Sequence, residues 1–180
     1  LPSLQVVMGA QVAGAGGTPQ VVIEVAEMRF EAGTCTPIGI GTAGCSSAFN
    51  STGMRARMAA CGSSAVAQND LDLLAYDLPT NAFGFFLTSR TPGFTPNPGG
   101  SQGNLCLGGN IGRYVGPGQI MNSGVSGSFS LPLDLTQMPT PTGPVAAQAG
   151  QTWNFTAWFR DSVAGSATSN FTDGLSVTFQ

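Results

Sequence analysis

Side chains able to carry a proton or attack a bond are scarce in this chain. Its 180 residues include six arginines, no lysine and no histidine, against nine aspartates and glutamates. An arginine stays protonated, so the bases behind general acid–base and serine or cysteine nucleophilic chemistry are missing. Carboxylates remain. A glycosidase asks for two of them roughly 5 to 10 Å apart across a cleft, whereas Glu24, Glu27 and Glu31 follow at three- and four-residue steps and the aspartates mark loops. Asp161 and Asp173, near Ser162, Ser166, Ser169 and Asn170, are weak candidates for a calcium site, which needs about six to eight oxygens. The alternative is that each accepts backbone N–H groups in an Asx-turn. Asp70 and Asp72 alternate with Leu71 and Leu73 and read as the wet face of a strand. The expectation is no enzyme, no cofactor and no resident metal.

The four cysteines, Cys35, Cys45, Cys61 and Cys106, include no CxxC pair, and no histidine is present to complete a zinc site. No lysine or histidine stands by to depress a thiol pKa. Two disulfides are expected, in any of three connectivities among which spacing does not choose. Such bonds persist outside the reducing cytosol. Charged residues make up 8% of the chain against a usual quarter or so, so its exposed polar groups must be hydroxyls, amides and backbone. Both features point to a secreted, extracellular or cell-surface protein. The arginines at 29, 55, 57, 90, 113 and 160 form no basic stripe and the net charge is -3, which argues against nucleic acid. No apolar run approaches the roughly eighteen residues of a membrane span. The opening at Leu1, without Met or a basic leader region, reads as a mature or excised piece whose signal peptide has been removed.

The elements that must position these residues recur with period two. Phe129, Leu131, Leu133 and Leu135 alternate with Ser128, Ser130, Pro132 and Asp134, and Pro132 implies an edge or a bulge. Trp153, Phe155, Ala157 and Phe159 alternate with Asn154, Thr156, Trp158 and Arg160; Leu175, Val177 and Phe179 alternate with Ser176 and Thr178. Further strands are expected at 4–13, 20–31, 54–61, 71–77, 83–88 and 113–115. About nine short strands, punctuated by Gly, Pro, Asn and Ser clusters, predict an all-β, antiparallel β-sandwich of jelly-roll or Ig-like type. Helix formers at 26–32 and 54–60 sit beside β-branched or Gly-rich sequence and predict no helix. Residues 91–110, with six Gly and three Pro, are expected to wrap the sandwich as a long loop that Cys106 staples down.

On this pattern Trp158 falls on the polar side of its strand beside Arg160. It is either covered by a second apolar layer, such as another sheet edge or the 91–110 loop, or it serves a protein interface or a sugar ring. Tyr114 and Phe94 are the other aromatic candidates for stacking. Asn50-Ser51-Thr52, Asn154-Phe155-Thr156 and Asn170-Phe171-Thr172 match the N-glycosylation acceptor pattern, and the last two echo each other.

Four blocks are distinctive in their order: 81–88 (NAFGFFLT), 97–109 (NPGGSQGNLCLGG), 150–161 (GQTWNFTAWFRD) and 169–179 (SNFTDGLSVTF). Together they resemble a C-terminal domain of undefined function in secreted proteins of planctomycetes and related bacteria, over about residues 45–180. The resemblance implies an exported domain in which a cysteine before the 50–53 turn pairs with one in the LCLGG segment, that is Cys45 with Cys106. Cys35 and Cys61 then form an additional pair. Residues 1–44 fall outside the resemblance. Their Val-rich segments Val6-Val7 and Val21-Val22-Ile23 suit a β-hairpin or extension, packed on its own sandwich or exchanged with a neighbour by β-augmentation. The leading expectation is a non-catalytic extracellular structural or surface-assembly domain, a subunit of a filament or layer, whose partners are its own copies or neighbouring surface proteins. The alternative is a carbohydrate-binding module.

Overall fold

The computed structural model describes residues 39–180. In chain order the strands are β1 (Thr42–Gly44), β2 (Arg57–Gly62), β3 (Leu71–Tyr76), β4 (Phe83–Ser89), β5 (Thr91–Pro96), β6 (Asn104–Gly108), β7 (Gly112–Arg113), β8 (Met121–Asn122), β9 (Phe129–Leu133), β10 (Thr152–Val163), β11 (Ser166–Phe171) and β12 (Gly174–Thr178). The only helical pieces among the described residues are the 3₁₀ turns Val66–Gln68 and Pro98–Gly100. All strand pairings are antiparallel. A seven-stranded sheet runs β1-β12-β10-β4-β7, with β11 added on β10 and β8 on β4; β2-β3-β9 form a second sheet and β5-β6 a third.

Alternation decides which faces are buried. Leu71, Leu73 and Ala75 of β3 and Phe129, Leu131 and Leu133 of β9 are buried, while Ser130 and Pro132 face out. Pro132 is tolerated because, among the described residues, β9 pairs with β3 alone and its other edge suits the missing donor. These side chains share one core with Phe86 of β4, with Trp153, Phe155, Ala157 and Phe159 of β10, and with Leu175 and Val177 of β12. The second and seven-stranded sheets therefore meet through their inner faces. A full Phe or Trp in such a core contributes about 3–5 kcal/mol against alanine.

β10 is covered on its other face too. Leu105 and Leu107 of β6 and the adjoining Ile111 pack against Phe85, Leu87, Trp158 and Phe171 in a second, smaller apolar cluster. The segment expected as an irregular loop over 91–110 is thus a hairpin. Among the described residues β5 pairs with β6 alone, which leaves its other edge for proline, and a register shift between Pro92 and Thr95 absorbs the Gly93-Phe94 pair. The expected strands within the described residues correspond to β2, β3, β4, β7, β9, β10 and β12; β1, β5, β6, β8 and β11 are additional. β1 pairs with β12 through Thr42, Ala43 and Gly44, so the boundary expected between 44 and 45 follows directly on a paired strand of the large sheet. The strands expected at 4–13 and 20–31, and the Val-rich hairpin with them, lie outside the described residues.

Gly84 leaves no room for a side chain between β10 of its own sheet and Phe129 of the second sheet. A Cβ there would stand 2.6 Å from the Trp158 carbonyl oxygen and 2.8 Å from the Phe129 ring. Gly84→Val should force those layers apart and cost about 1–3 kcal/mol, seen as an earlier urea midpoint; an unchanged midpoint would contradict this packing.

Candidate functional site

Polar side chains on the middle strands form a closed internal network. The Asn154 amide donates to the Ser89 carbonyl at 3.1 Å and accepts from the Ser176 hydroxyl at 2.6 Å. The Thr156 and Thr172 hydroxyls lie 3.1 Å apart, and the Thr172 hydroxyl accepts from the Ala157 N–H at 2.8 Å. The Asn170 amide donates to the Phe49 carbonyl at 3.0 Å and the Asp161 carboxylate at 3.1 Å. Asn50 donates to the Asp77 carbonyl at 2.7 Å. No buried side-chain nitrogen or oxygen among the described residues lacks a partner. The three acceptor-like triplets therefore present buried, bonded amides in the fold: Asn50, Asn154 and Asn170 are 7%, 4% and 0% exposed.

The two calcium candidates are spent differently from expectation. Asp161 lies within β10, not in a loop, because Ser166–Phe171 pairs as β11 and extends the ladder to Val163. It is buried, accepts from the Ser51 and Ser162 N–H groups at 3.1 and 2.8 Å, and takes the Asn170 amide on its other oxygen. Asp173, between β11 and β12, accepts the Met58 N–H at 2.6 Å and so covers part of the β2 edge. No cluster of three or more His, Cys, Asp or Glu side chains suited to a metal occurs among the described residues.

Asp173 also lines an open depression of about 300 Å³ with residues 43–47, Arg55 and Arg57. Burial raises its pKa from 3.8 to about 6, against the pull of the Met58 N–H and the Arg57 charge. The arginines there are already engaged. Arg55 lies 4.2 Å over the Phe49 ring and donates to the Ser47 carbonyl; Arg57 approaches Asp77 at 3.6 Å. The depression brings the Arg55 and Arg57 cations, the serines at 46 and 47 and the Asp173 carboxyl to one surface.

The aromatic candidates separate. Tyr114 is buried in the main core, its hydroxyl 3.5 Å from the Met138 sulfur, and burial pushes its phenol above the usual range. Phe94 stands 63% exposed on β5. Trp158 is half-buried in the second cluster, 5.1 Å from the Phe85 ring, and Arg160 is exposed. The three rings form no common platform. One aromatic that sequence reasoning missed is Phe83, 50% exposed at the start of β4. It lies on the same face as Phe85, and Asn122 of β8 is its cross-strand partner. Its signal was the run Phe83-Gly84-Phe85, two outward rings around one glycine.

The disulfide joins Cys45, just past β1, to Cys106 on β6, with Cα atoms 5.7 Å apart. It fastens the outer hairpin to the region beside β1 and β12. Gly174 permits this, since a Cβ there would sit 2.9 Å from that of Cys106. Cys61 is buried in β2; Cys35, its expected partner, lies outside the described residues. No known protein family, characterised protein or solved structure matches the chain.

Two outcomes follow. The native Asp173 carboxyl binds its proton more tightly than the unfolded one, so stability is highest below pH 3.8 as far as this group is concerned, and falls as pH rises through about 6. Asp173→Asn keeps an acceptor for Met58 and should raise the melting temperature at pH 7.5 while flattening its decline between pH 4 and 7. A variant with the parent's pH profile would show that this carboxyl is ordinary. Replacing Cys45 and Cys106 by serine, which opens a closed loop of sequence separation 61, should cost about 4 kcal/mol by the chain-entropy estimate, read from denaturant unfolding; a loss under about 1 kcal/mol would sink it.

Proposed function

We propose that this chain is an extracellular, non-catalytic structural domain that associates with its own copies on a surface or in a filament, of the kind the planctomycete resemblance implies. We read the two main sheets as a β-sandwich with the β5-β6 hairpin as a third layer. The observation that carries the proposal is the partition of side chains. The amides and hydroxyls of the central strands are spent in internal bonds, while Phe83 at the start of β4 and Ile120 just before β8 stay 50% and 54% exposed. A disulfide-closed body without lysine side chains also loses little side-chain entropy when packed against a neighbour.

Sedimentation velocity on the full, oxidised chain tests this directly. Concentration-dependent association in the micromolar range is expected. A single monomer species up to about 1 mM, the weakest affinity worth considering here, would remove the assembly reading. Selective glycan binding by that monomer would put the carbohydrate-binding alternative in its place.

A further inference from the structure

The outer face of the seven-stranded sheet is only partly roofed. Register places Trp158 opposite both Phe85 and Phe171, and Thr156 opposite Leu87, which in turn faces Arg113 on β7. Continuing the same register one step past Phe159–Gly84 sets Arg160 across from Phe83, with Asn122 on Phe83's far side. Period two then assigns Phe83, Phe85, Leu87, Trp158, Arg160, Arg113 and Asn122 to one face. The β5-β6 hairpin covers Leu87 and Phe171. Beyond it Phe85 and Trp158 are half-exposed and Phe83 is open; the exposed Arg160 lies on the β10 side of Phe83, and the exposed Arg113 stands across from Leu87 at the other end of the strip. Neither the Arg113 nor the Arg160 side chain has an ion pair or hydrogen bond among the described residues. The strip is an apolar centre with a cationic rim.

The complementary surface is on the same chain. On the outer face of the β2-β3-β9 sheet, Asp72 stands opposite Pro132, and the register one step beyond Leu71–Leu133 brings Asp70 opposite Asp134. Asp70 and Asp134 are exposed, and Asp72 feels Asp70 strongly enough for its pKa to rise, after the larger effect of its own burial. Hydrogen bonds from Thr136 and Asn69 hold the Asp134 carboxyl below its usual range, so this face stays anionic and attracts a cationic partner surface. The inner faces of these sheets share the core, so the aromatic, arginine-rimmed face and the acidic face look in opposite directions.

Resting on the assembly reading above, we propose that the Phe83–Trp158 face of one copy docks on the Asp70–Asp72–Asp134 face of the next, head to tail. Such a heterologous contact joins different patches on successive copies, and it propagates into a linear array unless its rotation closes a ring. Aromatic side chains provide the desolvated centre, and Arg113 and Arg160 fix register and select the acidic partner face.

The experiment is sedimentation velocity on the full oxidised chain and two neutralised variants, Arg113→Ser with Arg160→Ser and Asp70→Asn with Asp134→Asn. All these positions are exposed, and a melting temperature close to the parent's checks that each variant folds. The parent should associate, and its association should weaken in about 0.5 M salt because rim charges are screened. Each variant alone should lose self-association at least about tenfold, while an equimolar mixture forms a one-to-one dimer that does not extend, since each partner keeps one working face. Phe83→Ser should also weaken the parent contact. If the parent associates and either neutralised variant associates equally well, the head-to-tail contact is wrong although assembly stands. If the parent stays monomeric, the assembly reading falls first and this inference with it.

Discussion

From Trp153 to Ala157 β10 has both faces covered, and a strand so placed has little water to fall back on for its polar groups. Every amide and hydroxyl along it needs a partner from the chain, because a buried polar group left unmade costs about 1–3 kcal/mol. Few charges are available, so asparagine, threonine and serine provide the partners: Asn154 bridges to Ser89 and Ser176, and Thr156 meets Thr172. Those bonds hold β4, β11 and β12 to β10 from the side, while the rings of Trp153, Phe155 and Phe159 hold the opposing sheet from below. The small second core forms only because β10 and β4 also present Trp158, Phe85 and Leu87 upward. The hairpin and its disulfide follow from that need for a roof.

Charge is placed where it does not disturb this interior. Asp161 is the buried exception on β10, and it is surrounded by N–H donors. Asp173 is the tense one: it is half-buried, its single strong donor is the Met58 N–H, and its proton affinity is correspondingly raised. Holding a carboxylate there costs folding stability at neutral pH, yet it occupies a stretch of the β2 edge that would otherwise be free to pair with foreign strands.

The strands whose two faces differ sharply were legible in the sequence. Phe129-Ser130-Leu131-Pro132-Leu133 states its own burial pattern, and so does Leu71-Asp72-Leu73. The run Trp153 to Phe159 was equally plain, and cover for Trp158 by the 91–110 segment was among its readings, but Asn154 and Thr156 look solvent-facing when taken alone. The cover over Trp158 comes from residues 91–110, whose glycines and prolines argue against a strand until it is known that β5 leaves one edge for proline. β11 escaped for a related reason: Ser-Ala-Thr-Ser-Asn-Phe contains no apolar period, and its place is fixed by pairing with β10. The repeated Asn-Phe-Thr triplet was the one visible trace of the internal network, and it reads as a surface motif until the amides are seen to be buried. Register, which brings Trp158 beside both Phe85 and Phe171, is a tertiary fact that spacing does not encode.

The disulfide has a mechanical side. β1 and β12 are antiparallel neighbours, with Thr42 opposite Ser176 and Gly44 opposite Gly174, so tension applied between residue 40 and residue 179 peels them apart like a zip, one rung at a time. The peeling reaches Cys45 almost at once. There the covalent link to Cys106 takes over, and the load passes straight into β6. The stretch between the two cysteines, which contains β2, β3, β4 and β5, drops out of the force path altogether and stays slack while the rest of the chain is stretched.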